Sequence, residues 1–318
     1  MALKDLIAQA VSKYGKTSNI TLQPNESTGQ PPLELFITDE HTTNYLTLQM
    51  AGDADRGGIT GMAAGVGSLA SLVLALMMML KGRWDLVGLC FFLGAAMFFV
   101  PFFLETRKPL PLPILFNRRT REVYFDKAGE LFHTPWDDIQ AIACEFQMTG
   151  IYTGSINNAS LEILVKRLGE PEYLAMVSLG SPMGKTLNMQ KSFWEYIRSY
   201  MNNGPWFDKN GKHTDSDEFV RSQLSSNIRK SDFLAYWKKT ITDKKLQSEG
   251  SNFLSASDAF MFIGHLIFYP TNAIQDFTYD YAKRKTRNLW PEIVTERLKS
   301  DGPTTRLIDL ERERGLSV

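Results

Sequence analysis

Two charge-free apolar runs, separated by five residues, constrain this chain more than anything else in it. Ile59 to Leu80 is 22 residues without a charge, and Leu86 to Leu104 is 19. A bilayer core about 30 Å thick takes roughly 20 helical residues at 1.5 Å each, so each run is long enough to cross. A core helix of that length in a water-soluble protein keeps a polar stripe. GMAAGVGSLASLVLALMMML and LVGLCFFLGAAMFFVPFFL have none. The first run starts too far along the chain, and is too long, for the apolar part of a signal peptide. The connecting Lys81–Gly82–Arg83–Trp84–Asp85 cannot hold a domain, so the helices return antiparallel. The expectation is an integral membrane protein with a transmembrane hairpin over residues 56–105, its spans at 59–80 and 86–104.

The flanking charges give that hairpin a direction. Arg56 precedes it, and Arg107, Lys108, Arg118, Arg119 and Arg121 follow, against Lys81 and Arg83 in the loop. Basic residues gather on the cytoplasmic side of a span, which predicts cytoplasmic termini and a cytoplasmic soluble part. Trp84 fits an aromatic anchor at the water boundary, and Pro101 a kink near the end of the second helix. Gly57, Gly61 and Gly65 recur every fourth residue and share one helix face that a neighbour can approach closely. The reading adopted is packing against the second helix of the hairpin. A dimerisation or partner face is the alternative, and it would make the chain a homo-oligomer.

Outside the hairpin the chain reads as α+β. Residues 1–55 form a polar N-terminal region, with a short helix predicted over Ala2–Lys13 and two strands over Leu33–Thr38 and Tyr45–Met50. Pro109, Pro111 and Pro113 make a stiff spacer. Strands then alternate with turns: Ile114–Phe116, Glu122–Phe125, Leu131–His133, Ala141–Phe146, Leu161–Lys166 and Tyr173–Leu179. A helix follows through Leu187, Met189, Phe193, Tyr196, Ile197 and Tyr200. Residues 205–318 read as a helical region. Ser231–Ile241 is helical, with Phe233, Leu234 and Trp237 on one side. Ala259–Tyr269 is strongly apolar but too short to span, and Pro270 interrupts it before a second helix over Ala273–Arg287. Apolar Phe260, Phe262, Ile263, Leu266 and Ile267 beside basic Lys283, Arg284 and Lys285 fit either a helix lying in the membrane interface, with lipids as partners, or a helix buried in the soluble core.

Catalytic and cofactor signatures are missing. His41, His133, His213 and His265 are far apart and in no metal-ligand spacing. Gly180–Ser181–Pro182–Met183–Gly184–Lys185–Thr186 ends like a phosphate-binding loop, but it is one residue short and carries a proline where backbone N–H groups are needed. Asp137 and Asp138 are adjacent, so on a strand they point to opposite faces and cannot form a catalytic pair. Cys90 lies in an apolar run and Cys144 in the soluble part, which makes no disulfide framework and fits a reducing compartment. With 35 basic and 35 acidic residues the net charge is zero, which argues against nucleic acid as a partner. The expectation is a binding protein without enzymatic activity, cofactor or metal.

Two resemblances extend this reading. A meander of strands closed by one amphipathic helix is the pattern of a pleckstrin-homology-like barrel, here over residues 110–203. Thr134–Pro135–Trp136–Asp137–Asp138–Ile139 resembles the Pro-Trp-x-x-Ile stretch of bacterial membrane-tethered pleckstrin-like domains, which implies that Trp136 and Ile139 are core and both aspartates solvated. With the hairpin, the proline spacer and Asn288–Leu289–Trp290–Pro291–Glu292, the whole plan resembles an uncharacterised family of proteobacterial inner-membrane proteins found beside type VI secretion effectors. That resemblance implies an immunity protein whose partner is a cognate secreted effector. An adaptor or assembly factor for a secretion machine and a lipid-binding module are the alternatives.

Overall fold

The computed structural model describes residues 18–50, 56–108, 110–150, 154–225, 232–248, 254–285 and 289–315. The expected helix over Ala2–Lys13 lies outside them. The described chain is an α+β protein with two long apolar helices, a curled antiparallel sheet and C-terminal helices. It divides into two compact units: residues 1–54, 111–226 and 288–318 form one, and 55–110 with 227–287 the other.

The first unit is built on nine strands: β1 (Ser18–Leu22), β2 (Thr38–His41), β3 (Tyr45–Leu48), β4 (Ile114–Asn117), β5 (Glu122–Lys127), β6 (Glu130–Pro135), β7 (Ala141–Gly150), β8 (Gly154–Arg167) and β9 (Glu170–Ser178). They run in the order β2-β3-β4-β5-β6-β8-β7-β1, with β9 also on β8. The long β8 makes the curl possible, because it pairs with β7 at Ile163 and below and with β6 at Lys166 and Arg167. The N-terminal region is therefore part of the sheet: β1 pairs with β7, and β3 with β4. The hairpin is inserted between β3 and β4, which are antiparallel neighbours from Tyr45↔Asn117 to Leu48↔Ile114. The strand expected over Leu33–Thr38 begins only at Thr38. The Glu34 carboxylate takes the N–H groups of Phe36, Ile37 and Thr38 that a ladder would need, and Phe36 turns the chain with a positive φ of 60°.

The helix α3 (Leu187–Asn203), numbered after the hairpin helices α1 (Gly58–Leu80) and α2 (Trp84–Arg107), fills the concave side of the sheet. Thr186 caps it, its hydroxyl accepting the N–H of Met189. Phe193, Trp194, Tyr196, Ile197 and Tyr200 are all fully buried in one cluster with Leu46, Phe116 and Trp136. Trp136 lies 5.3 Å from Trp194 between ring centroids, and its indole N–H donates to Asn202 Oδ1 at 2.8 Å. The Pro-Trp-x-x-Ile segment thus supplies core residues at Trp136 and Ile139. It does so from a single 3-10 turn, Trp136–Asp138, and not from a strand. Asp137 pairs with Arg121 at 2.6 Å, so it is not simply solvated, and the guanidinium holds its carboxyl below the usual range.

The helical region expected over 205–318 is shared out. α4 (Glu218–Ser225), α7 (Glu292–Leu298) and α8 (Leu307–Glu313) stay with the sheet. Val294 and Leu307 bury the opposite sheet face against Leu115, Tyr124 and Leu131. Every residue of β4 is consequently buried, on both faces.

Trp136→Ala removes a fully buried indole and is expected to destabilise the protein by about 3–5 kcal/mol. Asp137→Asn, breaking a half-exposed pair, should cost at most about 1 kcal/mol. Denaturant unfolding of both variants in detergent micelles checks this; equal midpoints would remove Trp136 from the core. A pH dependence follows from His41. Its Nε2 donates to Pro205 O at 2.7 Å, so its Nδ1 accepts the Tyr196 hydroxyl at 3.0 Å, and the ring stacks on Trp206. Burial pushes this imidazole down from its ordinary 6.5 to about 4, against the smaller effect of the Pro205 bond. The native state therefore binds fewer protons than the unfolded chain between those values. Stability from His41 is complete above pH 6.5 and is lost as pH falls toward 4. His41→Gln should flatten that limb of the stability–pH curve.

Candidate functional site

The second unit contains α1 (Gly58–Leu80), α2 (Trp84–Arg107), α5 (Phe233–Gln247) and α6 (Ala256–Lys285). α1 and α2 are 23 and 24 residues long, and are long and apolar enough to cross a membrane. Most of their surface is open. Leu80 is 81% and Phe92 70% exposed, and apolar residues point outward wherever the helices do not meet one another or α6. Their polar atoms are used at the chain-terminal end of the hairpin. Glu105, near the end of α2, accepts the N–H groups of Gly57 at 3.1 Å and of Thr60 at 2.8 Å, together with the Thr60 hydroxyl. It thereby satisfies donors that the first turn of any helix leaves unpaired, with its charge at the favourable end of the dipole. Arg56 ties the same end, donating to Glu105 O at 2.8 Å. Sequence reasoning missed Glu105; a carboxylate closing an apolar helix opposite the start of its partner is the signal that would have found it.

Gly57, Gly61 and Gly65 do share one face, but it does not meet α2. A Cβ on Gly57 would lie 2.5 Å from Gln275 O, one on Gly61 would lie 2.6 Å from Thr271 O, and one on Gly65 would collide with the Thr271 side chain. The expected packing within the hairpin is thus replaced by packing on α6. Thr271, Gln275 and Thr278 on α6 are small or flexible enough to let two backbones approach, as small residues do between membrane helices. A π-helical stretch at Ala63–Ser68 coincides with this contact. On α2, Phe102 packs on Phe277 and Tyr281 of α6, at 6.0 and 5.1 Å between ring centroids. The hairpin's own seam uses Ser68, whose hydroxyl donates to Gly94 O at 2.9 Å, and Gly67 against Met97.

α6 passes through Pro270 without a break, so the interruption expected there is absent: one helix of 30 residues takes the place of two. Its two halves differ. From Thr271 onward it lies on the glycine face. Before Pro270 it exposes Phe260, Ile263, Leu266 and Ile267, with Phe260 77% open. Phe262 is half-covered by Phe233 and Trp237 of α5, at 5.1 and 5.3 Å. His265 bonds Met261 O through Nδ1 at 2.8 Å and lies among the rings of Phe233, Tyr236 and Trp237. Lys244 of α5 pairs with Asp258 of α6. Lys283, Arg284 and Lys285 close α6, the last lying 5.8 Å from the Tyr281 ring centroid. The glycines and the apolar–basic helix, found as separate features in the sequence, are therefore the two sides of one contact.

The sheet unit holds two further polar constructions. Glu34, almost fully buried, accepts the backbone N–H groups of Phe36, Ile37 and Thr38 at 2.6, 2.7 and 2.8 Å. This holds Phe36 in the left-handed region, the residue 57% exposed, beside the outermost strand β2. A non-glycine residue held at positive φ is costly, and such strain gathers at functional positions. The second is a buried cluster. His133 on β6 lies 3.1 Å from Glu311 of α8 and 3.6 Å from Glu122 of β5. Glu122 also accepts the Tyr124 hydroxyl at 2.8 Å and the N–H of Ile308 at 3.2 Å, and Glu311 accepts the N–H of Gly169 at 2.6 Å. The cluster fastens the C-terminal helices to the sheet. Beside it a cavity of about 640 Å³ is lined by residues of both charges, including Asp138, Lys166, Glu172 and Arg312. Among the described residues no group of three or more His, Cys, Asp or Glu is placed to hold a metal ion.

The fold defines a class: an α+β protein with a long apolar helical hairpin inserted between two strands of its sheet. Residues 91–297 match DUF6708, a family of unknown function, and the chain belongs to that family. No curated protein and no solved structure matches it. Gly57, Gly61, Gly65 and Phe36 precede the matched range, whereas all of α6 falls within it.

The glycine contact can be tested directly. Gly61→Leu must push α6 away, because the clash is with backbone, and should destabilise the helical unit by about 1–3 kcal/mol. Gly88→Leu, where a Cβ meets nothing within 4 Å, is the control and should change little. Thermal unfolding in micelles compares the two; indistinguishable transitions would dissociate the glycine face from α6.

Proposed function

We propose that the chain is a multi-pass inner-membrane protein that acts by binding and not by catalysis, and that it protects the producing cell against a membrane-active type VI effector. The observation that carries the membrane placement is the open apolar surface that α1 and α2 present away from each other and from α6. A contiguous patch of that size in water is an aggregation site; among acyl chains it is at rest. Arg56, Arg107 and Lys108 at one end of the hairpin support a cytoplasmic location for that end, for both termini and for the sheet unit.

The curled sheet closed by α3 supports the pleckstrin-like reading of that unit. Phe36 supports binding: a rigid aromatic anchor is the kind of residue that dominates protein interfaces, and here a buried carboxylate fixes its conformation in advance. The effector as partner rests on the resemblance to inner-membrane proteins encoded beside such effectors. A binding protein confined to the same bilayer meets an inserted toxin at high effective concentration, so modest contacts suffice.

The membrane potential of sensitive cells expressing the neighbouring effector is the measurement. Co-expressed full-length protein is expected to preserve the potential. Phe36→Ala is expected to weaken that protection while leaving the amount of protein in the membrane unchanged. Collapse of the potential despite full-length protein would sink the immunity reading. Full protection by Phe36→Ala would remove Phe36 from the contact.

A further inference from the structure

We propose that Lys185 and Phe36 belong to one contact surface, and that the partner's segment seated on it presents a carboxylate side chain to Lys185 and an apolar side chain to Phe36. This names the chemistry of the partner and rests on the reading of the protein as one that acts by binding.

Lys185 lies in Gly180–Thr186, the stretch that is one residue short of a phosphate-binding loop. The stretch joins β9 to α3 and is pinned at three points. The Gly184 N–H donates to Asn158 Oδ1 at 2.9 Å, and the Ala159 N–H of β8 donates to Pro182 O at 3.3 Å. Gly180 comes so close to Ile37 that a Cβ there would collide with the isoleucine side chain. Ile37 directly follows Phe36, and the Glu34 carboxylate takes the N–H groups of both. One buried acid thus sets the Phe36 turn, and the loop carrying Lys185 rests against that turn.

The ammonium of Lys185 is half-buried, yet among the described residues it has no hydrogen-bond or ion-pair partner. Burial pushes it down from its ordinary 10.5 to about 8, and the opposing pull comes from Glu34. Glu34 does not pair with it; the oxygens of that carboxylate accept the N–H groups of Phe36, Ile37 and Thr38. A half-desolvated cation without a partner carries a cost that an arriving anion removes. Lys185 also stands one residue before the Thr186 cap, so the positive end of the α3 dipole adds to its field.

The number of cations decides what the anion belongs to. Anionic lipid is held by clusters of about four to eight basic residues. Leu33–Thr38 and Gly180–Gln190 together contain one, Lys185. A single cation next to a conformationally fixed aromatic anchor matches a single carboxylate on a protein chain, placed beside an apolar residue. Met183, exposed on the same loop, extends the apolar part of the surface.

The test measures affinity between the purified full-length protein and the purified neighbouring effector, both in dodecyl maltoside without lipid. Wild type is expected to bind, Lys185→Met about tenfold more weakly, and Lys185→Glu more weakly still. Each acidic residue of the effector is then neutralised in turn. One of these changes is expected to weaken binding to wild type by a similar factor, and to weaken binding to Lys185→Met no further. Thermal unfolding of Lys185→Met, which keeps the length of the side chain, is expected to match wild type and shows that the fold is intact. Equal affinities of wild type and Lys185→Met would overturn the proposal and leave the binding reading standing. A loss that no effector carboxylate shares, or binding that appears only once phosphatidylglycerol is added, would overturn it in favour of a lipid headgroup. No binding by wild type, with or without lipid, would sink the binding reading itself and this contact with it.

Discussion

The backbone ladder between Tyr45–Leu48 and Ile114–Asn117 is the interaction on which the rest of the architecture depends. Strands paired this way lie about 5 Å apart, and every apolar residue of the hairpin is threaded between them. That forces the hairpin's two ends to leave and re-enter the sheet from neighbouring positions. On the proposed membrane reading, the crossings of the hairpin therefore come as a pair, without any appeal to charge. The same condition applies to the second excursion, which leaves after α4 and returns before α7.

Small residues do for the helical unit what the ladder does for the sheet. In lipid, no hydrophobic gain accompanies helix association, and close backbone approach with satisfied polar groups must stabilise it instead. Three glycines opposite Thr271, Gln275 and Thr278 provide the approach. Glu105 satisfies the open end of α1 with a group that would otherwise be a liability beside an apolar helix. Both arrangements depend on residues distant in sequence, and α6 arrives from about 200 residues beyond the glycines.

That distance marks how far the sequence could be read. Apolar runs and alternation are local, so the two long helices, the helix over Leu187–Asn203 and the strands from β4 to β9 fall near where their residues predict, although β7 and β8 run on to Gly150 and back to Gly154, well beyond the expected Ala141–Phe146 and Leu161–Lys166. Trp136 and Ile139 could be placed in the core from a six-residue stretch. The partner of a strand or of a glycine is not local. Nothing in Tyr45–Met50 says that it pairs with Ile114, and nothing in Gly57–Gly65 says which helix covers it. Pro270 misled for a related reason: a proline costs one helical hydrogen bond and a clash, but in an apolar setting with packed neighbours a helix tolerates both. The Glu34–Phe36 turn left no pattern at all, because its meaning lies in three backbone donors converging on one carboxylate.

The bounds of the family match sharpen what is shared from what is built around it. The range 91–297 begins inside α2 and ends inside α7, so it cuts across the hairpin and leaves β1, β2, β3 and α1 outside. β1, β2 and β3 are nonetheless strands of the one sheet. β3 completes the core through Leu46 and Leu48, and α1 provides the only face on which the second half of α6 is seated among the described residues, apart from its ring contacts with α2. Members of one family can keep such elements while their sequences diverge, because a strand needs only alternation and a glycine face only small residues. The buried positions outside the range are then set by packing. Phe36 is different, being exposed, strained and outside the range. Its exposure and its backbone, held at positive φ by the buried Glu34 carboxylate, are the observations on which the proposed partner contact rests.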